Sequence, residues 1–141
     1  MMAEDFSAHA AKLHVTFATV QTPEAMTDMV SKLMTRITLD CVEAGTRLIG
    51  HVKCIAENEP ENHLACSVTT HDGKVRCSGA LERGSTHLDI VVNILQYGLE
   101  KRTLESIVAK RAPEAFGKAK VVIEDIDKDS CDTERRPIQI G

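Results

Sequence analysis

The sequence predicts a single α+β domain, one mostly antiparallel sheet with two helices packed on one of its faces. Three observations carry this. Period-two alternation recurs in short runs, two segments change to a spacing of three and four, and Asp72-Gly73 lies between two alternating runs, where it reads as a hairpin turn. Strands linked in a row by tight turns, with the helices set apart from them, give a layered α+β arrangement in the order β-α-β-β-β-β-α-β.

From Leu13 to Val20 the pattern sets Leu13, Val15 and Phe17 against His14 and Thr16, a half-buried strand. Thr22-Pro23-Glu24 then supplies a capping hydroxyl, a proline at the first helical position and an acid in the first turn. Met26, Met29, Val30, Leu33, Met34, Ile37 and Cys41 make one apolar stripe, so a helix is expected from Pro23 to Ala44, ended by Gly45. Arg47 to Ala56 alternates again, with Leu48, Val52, Cys54 and Ala56 assigned to the core side. Asn62 to Thr70 and Lys74 to Leu81 form the hairpin; a two-residue turn at Asp72-Gly73 pairs His71 with Lys74 and Cys66 with Gly79. His87 to Tyr97 is nearly continuous in apolar, β-branched residues, as in a strand buried on both faces. Gly98 breaks it, and helical spacing over Glu100 to Arg111 stops at Pro113. Ala119 to Glu124 suits a last strand, and residues 125–141 a charged, weakly ordered tail.

The chain of 141 residues suits one domain with one core. A formal charge of −4 argues against a general nucleic-acid binder, and with aromatics at 3% a base-stacking surface lacks material. No window approaches ~18 uninterrupted apolar residues and the acidic start lacks a leader's pattern, so a cytoplasmic protein without membrane partners is expected. Cys41, Cys54, Cys66, Cys77 and Cys131 are odd in number and lie mostly inside apolar patterns, which predicts reduced, buried thiols.

The stretch HVKCIAENEPENHLAC holds His-x-x-Cys twice, at His51/Cys54 and His63/Cys66. Such spacing resembles zinc ligation, yet in a strand residues i and i+3 point to opposite faces, so neither pair can converge on one ion. Packed thiols are the expectation, with no metal and no cofactor. The Asp125-Ile126-Asp127-Lys128-Asp129 run fails as a calcium loop because Ser130 and Arg136 stand where glycine and glutamate are needed. The sequence has no phosphate-cradling glycine loop and no nucleophile elbow.

Parity gathers His51, Lys53, His63, Ser67, Thr69, Arg76 and Ser78 on the sheet face away from the helices, joined by His14, Thr16, His87, Asp89 and Asn93. Polar residues on the solvated side of an antiparallel sheet need no special cause. This set is nonetheless locally cationic, and Asp89 and Asn93 interrupt the most apolar strand, where polar groups need partners such as His51, His87 or Lys53. Three roles are open to that face. It serves as a homo-oligomer interface; or Lys53, Ser67, Thr69, Arg76 and Asn93 bind a small anionic ligand; or His51, His87 and Asp89 carry acid/base catalysis.

Overall fold

A computed structural model of the chain describes residues 6–60 and 62–126. The elements are β1 (Phe6–Gln21), α1 (Pro23–Ala44), β2 (Leu48–Glu59), β3 (Asn62–Val68), β4 (Arg76–Gly79), β5 (Ser85–Tyr97), α2 (Lys101–Ala115) and β6 (Lys120–Asp125). The six strands form one antiparallel sheet in the order β4-β3-β2-β5-β1-β6, with both helices on one face. The expected α+β class and element order are observed. Asp125 still belongs to β6, and residues of the expected tail beyond 126 lie outside those described.

Helix α1 follows its sequence signals closely. The Thr22 hydroxyl accepts the Ala25 amide at 3.1 Å, Pro23 opens the helix, and Gly45 takes φ 110° after the last turn. The Gly45 and Thr46 amides donate to the Val42 and Cys41 carbonyls, satisfying helix-end acceptors. The helix packs against β2, β3 and α2, while α2 packs against β1 and β6, so a largely aliphatic core lies between sheet and helices.

Four expectations change. First, β1 begins at Phe6, seven residues before the expected start at Leu13; its early inward positions, His9 and Ala11, are too polar or too small to announce a strand. Second, β2 bulges at Gly50: Ile49 pairs with Gln96 and His51 with Leu95. The extra residue inverts the parity, so Ile49 is buried and Leu48 is 51% exposed. A side chain at Gly50 would stand 3.0 Å from the Leu95 carbonyl oxygen, which explains the glycine.

Third, the hairpin register is offset by two: Cys66 pairs with Cys77, and the strands stop at Val68 and resume at Arg76. Asp72-Gly73 still turns, with Asp72 Oδ1 accepting the Lys74 amide at 3.0 Å, but Thr35 of α1 donates to the Gly73 carbonyl at 2.7 Å and draws the loop onto the helix. An even offset keeps every side chain on its face, so the face assignment survives. Thr69, expected on the sheet, is an exposed loop residue. Fourth, α2 runs past Arg111 and through Pro113 to Ala115. A proline in the last turn removes a single backbone donor, and buried Phe116 follows it to pack edge-on against Phe17.

The reduced-thiol expectation is also corrected. Cys54, Cys66 and Cys77 lie in one cross-strand row on the helix side, and Cys66 and Cys77, directly opposite each other, form a disulfide. Cys41 and Cys54 remain free and buried, and burial pushes both thiols up to about 12. Cys131 lies outside the described residues. The bridge closes a separation of 11 residues and ties the edge strand β4 to the sheet. Loop-closure entropy then predicts that Cys77→Ser lowers the unfolding free energy by about 2.5 kcal/mol. Urea unfolding tests this: dithiothreitol should shift the wild-type midpoint to that of the variant and leave the variant unchanged.

Candidate functional site

The face of the sheet away from the helices is ordered in rows that cross the strands. The middle row reads Ser78, Ala65, Ile55, Val91, Lys12 and Glu124, from β4 to β6. One step along the strands lies Arg76, Ser67, Lys53, Asn93 and Ala10; one step the other way lies His63, Glu57, Asp89, His14 and Val122. Ile55 and Val122 are 52% and 48% exposed, unusual for branched apolar residues in mid-strand.

Four of the five residues expected to bind a ligand therefore share one row: Lys53, Ser67, Arg76 and Asn93. With Ser78 they line a concavity of about 340 Å³. Thr69 is not part of it. The catalytic set is not assembled in this way. Asp89 is met by His14, whose Nδ1 lies 3.0 Å from Asp89 Oδ1, because the β1–β5 register places the two opposite each other. His51 sits opposite Leu95, six residues along β5 from Asp89, and His87 faces Thr16 beside Ser85.

The opposite row is a ladder of imidazole, carboxylate, carboxylate and imidazole. His63 Nε2 is 2.7 Å from Glu57 Oε1, Glu57 stands across from Asp89, and Asp89 bonds His14. The second nitrogen of His14 lies 3.0 Å from Glu124 Oε1. A neutral imidazole has a single N–H, so donating to two carboxylates at once requires the imidazolium. The Glu124 bond above all raises the His14 pKa above the ordinary histidine value; burial opposes it, and the bond and charge of Asp89 add to the rise against the charge of Lys12. At His51 burial, aided by the charge of Lys53, lowers it.

The expected cationic face is thus divided, since Glu57, Asp89 and Glu124 counter its positive charge at one end. Glu57 escaped notice because β2 was expected to stop at Ala56, and Glu124 because the β6 register is not written locally; the i, i+2 spacing of Ile55 and Glu57 was the usable signal. Neither His-x-x-Cys pair converges: His51 and His63 lie on the open face and Cys54 and Cys66 on the core side. The larger concavity of about 590 Å³ lies on the helix side between α1 and α2, where Asp40 holds Arg111 in two hydrogen bonds.

The opposite shifts predict a test. In an NMR titration of the six imidazoles, His14 should have the higher midpoint and His51 the lower. By linkage, the His14 bonds contribute stability that is present below the unfolded value near 6.5 and is lost as pH rises through the raised value. Neutral His51 contributes in the reverse sense, and its contribution is lost as pH falls. Asp89→Asn should lower the His14 midpoint and leave His51 unmoved.

Comparison with known protein families, with characterised proteins and with solved structures finds no match to this chain. Among the described residues, no helix is long and apolar enough to cross a membrane.

Proposed function

We propose that the chain is a self-associating domain whose open sheet face stacks on that of a second copy. The observation that carries this is the order of the rows: the Lys53/Asn93 row and the Glu57/Asp89 row flank an apolar Ala65–Ile55–Val91 row at equal distances. A two-fold axis along that middle row keeps β2 over β2 and reverses strand direction. Lys53 then faces the partner's Glu57, Asn93 faces the partner's Asp89, and Ile55 and Val91 meet their own copies. Toward β6 the same axis sets Lys12 and Glu124 over their own copies; the two lie opposite each other on adjacent strands, so each lysine leans to the partner's Glu124 and the charges offset. Such a surface is complementary to itself, as an isologous dimer requires. Face-packed sheets lie ~10 Å apart, within reach of a lysine–glutamate pair. At ~4.8 Å per strand and ~3.3 Å per residue, β3, β2, β5 and β1 offer roughly 700–800 Å² per copy, near the size of a stable interface.

Light scattering on the full chain at about 10–100 µM, above a micromolar dissociation constant, should give twice the 15.4 kDa chain mass. Ile55→Arg, which places a charge on the axis, should give the single mass. A wild-type monomer throughout that range defeats the reading.

A second reading rests on the concavity at Lys53, Ser67, Arg76, Ser78 and Asn93, which suits a small anion with two cations and neutral donors around it. It requires a free face, and saturable binding of inorganic phosphate, abolished by Lys53→Ala, would support it. The free thiols of Cys41 and Cys54 favour the cytoplasmic location expected from the sequence, whereas the Cys66–Cys77 disulfide favours an oxidising compartment.

A further inference from the structure

We propose that His9, Glu105 and Asp125 form a binding site for one divalent transition-metal ion. It lies on the helix side of the sheet, separate from the open face. The three residues come from β1, α2 and β6, and one ligand atom of each lies within 4.8 Å of the other two. Ligands on a common ion at ~2.1 Å stand 3–4 Å apart, so small side-chain adjustments bring the set to bonding distance.

Two features point to an ion. His9 is 5% exposed and occupies the inward row of β1 with Ala11, Leu13, Val15 and Phe17, where it is the sole ionisable side chain. Packing alone is served there by an apolar residue. Onto this imidazole two carboxylates are brought from separate elements, and their mutual repulsion falls when a cation lies between them. The mixed set also selects the ion. Calcium and magnesium prefer all-oxygen ligands, whereas one imidazole nitrogen with two carboxylates suits zinc, manganese or iron. Three protein ligands leave at least one position for water or a bound molecule. Glu105 and Asp125 are partly exposed, which gives the ion a route in.

The consequence is mechanical as well as chemical. β6 buries little and pairs only with β1 among the described strands. An ion held by β1, α2 and β6 fastens this edge, so folding stability should rise with metal concentration.

The test uses the full chain after chelator treatment, titrated calorimetrically with zinc chloride and, separately, manganese chloride, with melting temperature followed alongside. One equivalent should bind with either or both ions and raise the melting temperature. Glu105→Gln and Asp125→Asn, both at partly exposed positions, should fold and lose that binding, whereas His71→Asn in the exposed hairpin loop should bind as wild type does. The proposal is overturned if neither ion saturates at one equivalent. It is equally overturned if binding survives both carboxamide variants, or if His71→Asn abolishes it.

Discussion

Gln96→Leu should lower the unfolding free energy by about 4 kcal/mol, although leucine has nearly the same volume and better apolar transfer. Gln96 is 0% exposed, and both ends of its amide are fully used. Oε1 accepts from the Thr46 hydroxyl at 2.6 Å and the Leu99 amide at 3.0 Å; Nε2 donates to Ser7 Oγ at 2.7 Å and the Leu99 carbonyl at 2.9 Å. One side chain thereby joins the start of β1, the turn after α1 and the connection from β5 to α2. Leucine removes four hydrogen bonds at about 1 kcal/mol each and takes the acceptor from the Leu99 amide, although Ser7 keeps its bond to the Leu99 carbonyl and Thr46 can turn to the Tyr97 carbonyl. A loss of that size corresponds to roughly 10–20 °C in melting temperature. Gln96→Glu keeps the shape and Oε1 but replaces the donating amide with an acceptor, so it should also destabilise. A midpoint unchanged in both variants contradicts this role for the network.

This network shows where the sequence was legible and where it was not. α1 was readable to the residue because its cap, proline, stripe and terminal glycine are all local signals. The alternation in β3, and in β2 beyond the Gly50 bulge, gave the faces, and these survived a hairpin register offset by two because side-chain direction has period two. Gln96 was missed. Its nearly continuous apolar residues make β5 read as buried on both sides, with Asp89 and Asn93 as polar exceptions, but β5 has one open face and both lie on it, half-buried. A glutamine near a strand end carries no local mark of burial; its partners are 50 and 89 residues away or in the following turn. The Gly50 bulge was likewise invisible, since a glycine within alternation reads as a small core residue until the partner strand is placed. The open face was read correctly in membership for Lys53, Ser67, Arg76 and Asn93, because parity alone decides that. Its pairing required two further registers, those of β1 with β5 and β1 with β6, which no turn signal fixes. Hence the partner of Asp89 proved to be His14, and Glu57 and Glu124, which with Asp89 divide the face's charge, emerged only with the fold.

Those same rows give the second large effect. In the proposed dimer each Lys53–Glu57 contact occurs twice by symmetry, so one substitution alters two contacts. Lys53→Glu sets glutamate against glutamate at both places and Glu57→Lys sets lysine against lysine. Each single variant should weaken association by roughly 100-fold or more, since like charges brought together across an interface cost several kcal/mol. The concavity reading expects something different, because Lys53 would then serve an anion and Glu57 would have no part in binding.

The most direct measurement is therefore the molar mass, by light scattering at matched concentrations, of the wild type, Lys53→Glu, Glu57→Lys and the double variant Lys53→Glu/Glu57→Lys. The self-complementary face predicts dimer, monomer, monomer and dimer, since the exchange restores opposite charges at both contacts. A double variant as monomeric as the single ones would show that the two rows do not meet, and would contradict the two-fold arrangement.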